Sequence, residues 1–451
     1  MHKYKKYPKY KESGVAWLGE IPEHWEQKRL KAILQERNEK NNPVKTKNIL
    51  SLCMYRGVIP YSEKGNSGNK AKDDLTAYKL AYPNDIVLNS MNVVAGSVGL
   101  SKYFGAVSPV YYMLNPRDIN DNIKYYNAIF QSESFQKSLI GLGNGILVKQ
   151  SEKTGKLNTI RMKISMDSLN NVLMPKPPYQ EQQTIANYLD KATAKIDTLI
   201  QKQEQLIELL KEKRQALISH AVTKGLNPDV KMKDSGIEWL GEIPEGWNNY
   251  RIDWINTIVR GNTGFKKDEL LDSGKYVALQ YGKTYKVDEV NLTFKFYVND
   301  EFYKSSQVVH YGDTILISTS ETVEDLGHSC FYNRKNLGLI GGEQILLKPN
   351  TKFIFDKYLY FYSIVFSNEL RRYATGLKVF RFNIDDLKNL FISLPSLQEQ
   401  KQIAQYLDEK TTQIDTLITK ATKAIELLKE RRTALISAVV TGKIDVREEI
   451  S

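Results

Sequence analysis

From Glu181 to Val222 the chain has neither proline nor glycine, and its apolar residues return in steps of four and three. Ile185, Leu189, Ala192, Ile196, Leu199, Leu206, Leu210 and Leu217 keep that rhythm, with Gln203 and Lys213 as polar interruptions. The spacing predicts a long helix with a heptad seam whose polar positions set register at some cost in stability. The same steps recur as Ile403, Leu407, Lys410, Ile414, Leu417, Ala421, Ala424, Leu428, Arg431 and Leu435. A second stripe lies beside each seam: Ile200, Ile207 and Ala221, then Ile418, Ile425 and Val439. A two-stranded coil needs one stripe. The wider face predicts further contacts, from a partner or from this chain's own domains, and makes Ile200, Ile207, Ile418 and Ile425 candidate partner residues.

The two helical patterns belong to a larger repeat. KESGVAWLGEIPEHW (Lys11 to Trp25) returns as KDSGIEWLGEIPEGW (Lys233 to Trp247), an offset of 222. QEQQTIANYLDKATAKIDTLI (Gln180 to Ile200) returns as QEQKQIAQYLDEKTTQIDTLI (Gln398 to Ile418), an offset of 218. IELLKEKRQALIS (Ile207 to Ser219) returns as IELLKERRTALIS (Ile425 to Ser437). One whole unit is therefore duplicated in tandem, with order and spacing kept. Between the repeated segments the halves diverge. Runs such as Asp85 to Leu88, Val110 to Leu114, Thr314 to Ile317 and Gln344 to Leu347 are rich in β-branched and aromatic residues and bounded by Gly, Pro and Asn, as strands are. The expected fold class is mixed α/β: two α/β domains joined by two long helices that pair as an antiparallel coiled coil, in a pseudo-two-fold tandem repeat. The expected segments are 1–175 (tail and first domain), 176–227 (helical), 228–393 (second domain with its repeated opening segment) and 394–451 (helical).

Charge narrows the partner. Lys and Arg number 64 against 52 Asp and Glu, a formal net charge of +12. That excess favours a polyanion, because each neutralised phosphate releases counterions. The basic, aromatic-interleaved start (Lys3, Lys5, Lys6, Lys9 and Lys11 with Tyr4, Tyr7 and Tyr10) suits phosphate contact, or equally a solvated tail. No run of about 18 apolar residues predicts a membrane span, and the start lacks the apolar region of a secretory signal. Cys53 and Cys330, the two cysteines, make neither a disulfide framework nor a metal cluster, and a reducing cytoplasm fits.

Catalytic motifs fail on inspection. Gly141-Leu142-Gly143-Asn144-Gly145 has no preceding strand and reads as a loop. Lys176-Pro177-Pro178-Tyr179 resembles the tetrapeptide of amino-methyltransferases. Its first position, however, is a lysine, which cannot accept a hydrogen bond from a target amino group. Gly282-Lys283-Thr284 lacks the earlier glycine of a phosphate loop, since Val277 stands there. His2, His24, His220, His310 and His328 are scattered. The chain reads as non-catalytic, without a metal or cofactor of its own.

The twice-repeated W-L-G-E-I-P-E-x-W segment, the Q-E-Q-x-x-I-A-x-Y-L-D segment and the L-I-S helix end resemble the repeated regions of Type I restriction-modification specificity subunits, over essentially the whole chain. The resemblance implies that each divergent middle is a target-recognition domain reading one half of a bipartite double-stranded DNA target. The helices would act as spacer and as docking site for two methyltransferase subunits that carry S-adenosylmethionine and methylate adenine. A nuclease-translocase subunit can join them. If a helix of about 63 Å at 1.5 Å per residue carries a reader near each end, the contacted sites lie within about 18 base pairs. Base edges are read by Arg, Lys, Asn, Gln, Ser and Thr. Candidate readers are therefore Asn89, Ser90 and Asn92, with Tyr55, Arg56 and Lys70 in a Gly-rich stretch, and Lys283, Thr284, Ser318 and Thr319 in the second domain. Ordinary loop polarity is the competing explanation for each. The rival functions are a self-contained DNA methyltransferase or nuclease, separable by S-adenosylmethionine binding, and a coiled-coil scaffold without DNA, separable by a gel shift.

Overall fold

A computed structural model of the chain describes residues 5–53, 56–65, 70–146, 149–150, 157–158 and 161–448. Two compact units emerge, Met1–Glu204 with Thr422–Ser451, and Gln205–Ala421. Each takes one half of each long helix.

In the first unit, β1 (Leu34–Arg37), β2 (Ile86–Asn89), β3 (Val98–Leu100) and β4 (Tyr111–Pro116) form an antiparallel sheet in the order β1-β4-β2-β3. Helix α1 (Ile123–Gln131) follows, capped by the Asn122 side chain, which accepts from the Lys124 and Tyr125 amides. Tyr125, Tyr126, Ile129 and Phe130 on α1 are wholly buried, and a side chain of that size contributes about 1.5–3 kcal/mol when so buried. The long helix α2 spans Tyr179–Lys224.

The second unit repeats the plan with different residues. Its strands are β5 (Asn256–Arg260), β6 (Glu289–Val290), β7 (Thr314–Ile317), β8 (Ser329–Tyr332) and β9 (Gln344–Pro349). They run in the order β5-β9-β7-β8-β6, antiparallel except for the last pair. Helix α3 (Asp356–Leu370) stands where α1 stood, and the second long helix α4 covers Leu397–Val440. The strand runs read from sequence are β2, β4, β7 and β9. The added strand β6 lies at the sheet edge.

Repeated residues do the same work in each unit. The buried Gln182 amide donates to Pro177 O at 2.8 Å and accepts from the Asn122 amide at 2.9 Å, tying the start of α2 to that of α1. Gln400 donates to Pro395 O at 3.0 Å and accepts from the Phe355 amide at 2.8 Å, doing the same for α4 and α3. The Tyr125 hydroxyl donates to Val440 O at 3.1 Å, and the Tyr358 hydroxyl to Val222 O at 3.0 Å. The proline step before α2 is thus a helix start. Lys176 there is spent on the buried carboxylate of Asp121, 2.6 Å away.

Helix pairing is antiparallel within each unit. Ile185, Leu189 and Ile196 share a core with Leu435, Ile436, Val439 and Val440. Ile218, Ala221 and Val222 share the other core with Ile403, Ala404 and Leu407. Arg432 pairs with Asp197 at 2.9 Å in the first unit, and Arg214 with Asp415 at 3.1 Å in the second. At the end of α4, Gly442 has φ +75° and would place a Cβ 2.3 Å from Pro22 of the repeated segment, so only glycine closes the helix there.

The heptad reading needs a correction. Leu199, Leu206 and Leu417, assigned to the buried seam, are 47%, 42% and 48% exposed. The stripe beside them turns inward instead: Ile425 is buried, Ile200 packs on the first core, and Ile207 and Ile418 are half-buried. A straight helix turns 3.6 residues per turn, so a 3.5-residue pattern drifts by about 20° per heptad. Over two heptads the drift is about 40°, enough to tilt Leu199 and Leu417 toward water and bring Ile200 and Ile418 partly inward. Leu199, Leu206, Leu209, Leu417 and Leu427 are left as exposed apolar residues on the two helices.

Candidate nucleic-acid interface

Strand β7 runs directly into Ser318, and the next two residues, Thr319–Ser320, pair antiparallel with Phe380–Arg381. A short helix, Tyr281–Thr284, lies alongside, with the Ser320 side chain close to the Tyr281 hydroxyl, which burial holds above its ordinary pKa. Three segments distant in sequence therefore meet at the end of the central strand. Of the predicted readers, Lys283 belongs to this group and sets its ammonium 4.5 Å above the Phe296 ring. The others are inward. Thr284 is wholly buried and donates to Gln280 O at 3.0 Å, and Ser318 is buried. Thr319 is buried and donates to the Glu343 carboxylate. The Thr284 and Thr319 hydroxyls thus bond within the protein, and all three residues are turned away from the surface.

The outward side chains come from a segment the sequence reading passed over. Thr375 and Arg381 exchange backbone hydrogen bonds of 2.9 and 3.0 Å, closing a tight loop. Gly376 sits at φ +128°, where a Cβ would lie 2.0 Å from Val379 O, so the turn requires glycine. The loop carries Leu377, 98% exposed, with exposed Lys378, Val379 and Arg381. Acidic Glu321 and Asp325 act on Tyr281 nearby, so the surface is of mixed charge. The only signal was the Ala374-Thr375-Gly376 turn before a basic and apolar run.

In the first unit, Ser90 occupies the place of Ser318. It is buried and donates to Val110 O at 2.8 Å, while its carbonyl accepts from the Ile164 amide at 3.0 Å. Asn89 is half-buried and accepts from the Met91 amide at 3.0 Å. Asn92 is exposed at the start of a single turn, Val93–Ala95. Arg56 is exposed, with its guanidinium 3.7 Å from Glu63, and Lys70 is exposed. Tyr55 lies outside the described residues. The Gly141 to Gly145 run is a helical turn, Leu139–Leu142, followed by a strand, Asn144–Ile146, and not a strand–loop–helix.

The basic start is part of the scaffold. Tyr7 is buried, and its hydroxyl donates to Glu181 at 2.7 Å. Trp25 Nε1 donates to the same carboxylate at 3.0 Å, and His24 Nε2 lies 2.7 Å from it. Burial beside Glu181 pushes the Tyr7 hydroxyl far above its ordinary pKa, so it remains a donor. Arg447 covers the Tyr7 ring at 4.9 Å, and Lys5 pairs with Glu448 at 2.6 Å. Lys3 and Tyr4 lie outside the described residues.

The turns before β2 and β7 match and differ in one respect. Asp85 accepts from the Tyr82 amide at 2.9 Å, and Asp313 from the His310 amide at 2.8 Å. Arg37 pairs with Asp85 at 3.1 Å. Its counterpart at the offset of 222 is Val259. Burial pushes Asp313 up to about 6.

Comparison with known proteins matches residues 22–209 and 244–427 to the Type I restriction modification DNA specificity domain. The MjaVIII specificity subunit of Methanocaldococcus jannaschii is 27% identical over 443 residues, 95% of this chain and 94% of that protein. The EcoBI specificity subunit of Escherichia coli is 23% identical, over 84% of this chain and 78% of that protein. Among solved structures, a chain from work on complex assembly and conformational transition of the type I R-M system superposes with a TM-score of 0.67 at 14% identity, over 93% of this chain and 98% of that one. The HsdS subunit of Thermoanaerobacter tengcongensis does so with a TM-score of 0.50 at 15% identity, over 94% and 98%. Two matched segments, two units of one topology and repeated frame residues together place this chain in the Type I restriction-modification DNA specificity subunit family.

Proposed function

We propose that this chain reads a bipartite double-stranded DNA target, one half per unit, and directs two methyltransferase subunits without performing chemistry itself. The observation that carries the reading is the contrast inside each unit. Sheet order and frame hydrogen bonds repeat, while the segments at the end of the central strand, Ser90 onward and Ser318 onward, share almost no sequence. A common scaffold with two different readers fits two different half-sites. In the second unit Lys283, Lys378 and Arg381 supply the donors for phosphates and base edges. Exposed Leu377 is of the type that wedges between base steps. In the first unit Arg56, Lys70, Asn89 and Asn92 are the candidates. S-adenosylmethionine belongs on the methyltransferase partner, and a nuclease-translocase subunit can join. Among the described residues no helix is long and apolar enough to cross a membrane, and a cytoplasmic location suits a DNA-directed complex.

Arg381→Ala in the assembled complex should lower discrimination at one half-site by about 1–3 kcal/mol, read as relaxed methylation there while the other half-site stays unchanged. Equal loss in both halves would reject separate readers. For the methyltransferase contact, Leu199→Asp with Leu206→Asp should weaken assembly, seen as loss of complex mass by light scattering at unchanged melting temperature. An unchanged mass would remove these leucines from the docking surface.

A further inference from the structure

The second unit has a cleft of about 480 Å³ at the start of α4, lined by Leu226, Asn227, Val230, Trp247, Glu399 and Gln402 among others. In the first unit the equivalent space is filled by the chain itself. There Tyr7 inserts between His24 and Trp25, with ring centroids at 5.8 and 5.9 Å, and its hydroxyl reaches Glu181. The tail offset of 222 carries Tyr7 to Asp229 and His24 to Gly246, while the helix offset of 218 carries Arg447 to Asp229 as well. Two chain ends that overlap in the first unit are thus replaced by one linker in the second, and Asp229 is exposed on it. The scaffold of the plug remains. Trp247 Nε1 still donates to Glu399 Oε1, at a looser 3.3 Å, and the other oxygen, Glu399 Oε2, has no partner among the described residues. Lys224 does not neutralise the carboxylate, because its ammonium is spent on the carbonyls of Leu240 and Glu242.

We infer that this cleft is a binding site for a phenol, taking a tyrosine-like ring against Trp247 with its hydroxyl donated to Glu399. The first unit shows the chemistry that satisfies this scaffold: an aromatic face against the tryptophan and an O–H donor to the carboxylate. An aliphatic ligand leaves the acceptor unmet. A bulky anion is repelled by Glu399. The phenol has two sources, a tyrosine of a partner subunit or a free aromatic molecule, and the site is independent of the DNA reading.

The test uses the intact chain labelled with 5-fluorotryptophan, in which Trp247→Phe assigns one of five signals. Titration with p-cresol should shift the Trp247 signal saturably. Toluene, which lacks the hydroxyl, should bind at least about tenfold more weakly, the scale of a hydrogen bond to a charged group. Glu399→Gln should weaken p-cresol by a similar factor. Gly246→His restores the counterpart of His24 at an exposed position where a new Cβ meets nothing within 4 Å, so the fold is retained, and because Tyr7 sits between His24 and Trp25 in the first unit, p-cresol should bind more tightly. No saturable shift, equal shifts with toluene, or a response lost in Gly246→His would overturn the assignment. Adding the methyltransferase partner separates the sources: loss of the p-cresol response identifies a partner tyrosine, and its persistence a free aromatic molecule.

Discussion

The starts of the two long helices are built from one sequence and end in different states. At α2 a buried carboxylate, Glu181, collects Tyr7, His24 and Trp25, and the two chain ends meet over it through Lys5 and Glu448. At α4 the same carboxylate position, Glu399, keeps Trp247 alone among the described residues, and one continuous linker passes by. A duplicated unit has two ends, and a tandem chain joins only one pair of them covalently. The other pair is held without a covalent link, by the Asp445 amide donating to Lys5 O at 2.9 Å and by side chains. Frame residues are thus identical in role while their surroundings are set by connectivity.

The strongest way to break this comparison is to ask whether the units are interchangeable. A fragment ending at Asn227 loses Leu435, Ile436, Val439 and Val440 from its core, but it carries their counterparts Leu217, Ile218, Ala221 and Val222 at the offset of 218. A second copy can supply them antiparallel under two-fold symmetry. Apolar burial at about 25 cal/mol per Å² drives that pairing. The fragment should dimerise and, with the methyltransferase partner, methylate a symmetric site made of the first half-sequence and its inverted repeat. Lys213 can weaken the dimer. A monomer at about tens of micromolar by sedimentation, or an asymmetric methylated site, would show that the units are not equivalent halves.

A smaller effect separates the plugged end from the open one. Glu181→Ala strands two buried donors, Tyr7 and Trp25, beside the exposed His24, and should cost about 2–4 kcal/mol. Glu399→Ala strands one and should cost about 1 kcal/mol. Urea unfolding with hydrogen exchange at α1 and α3 would check both, and equal costs would remove the distinction.

The smallest effect compares the strand turns. The carboxyl of Asp313 is raised to about 6 by burial, against about 3.9 in an unfolded chain. The folded state therefore binds the proton more tightly. This group's stabilising effect is complete below about pH 4 and is lost as pH rises through about 6. Asp313→Asn should flatten that slope and stabilise the second unit by about 1–3 kcal/mol at neutral pH. Burial raises the Asp85 carboxyl as well, but Arg37 offsets part of that, so Asp85→Asn should stabilise the first unit less than Asp313→Asn stabilises the second. Thermal melts between pH 4 and 7 would show it, and an unchanged slope in Asp313→Asn would discard the assignment.

Repeats and periodicity carried much of the architecture in the sequence itself. Nearly verbatim copies at offsets of 222 and 218 established two units, and runs without Pro or Gly established two long helices. Alternating β-branched segments located β2, β4, β7 and β9, because each of these patterns follows from local covalent geometry and burial on one face. Three matters were left to the tertiary structure. Which stripe of α2 is buried depended on the drift of a straight helix against a heptad, so Leu199 and Leu206 turned outward and Ile200 inward. Which polar residues face outward depended on segments distant in sequence meeting at Ser318, where Thr284 and Thr319 are buried and Lys378 and Arg381 stand free of the core. Tyr7 reads as a basic-tail tyrosine until Glu181, remote in the chain, is placed beside it. Local pattern determines what a segment can become; only the meeting of distant segments decides which of its side chains water still reaches.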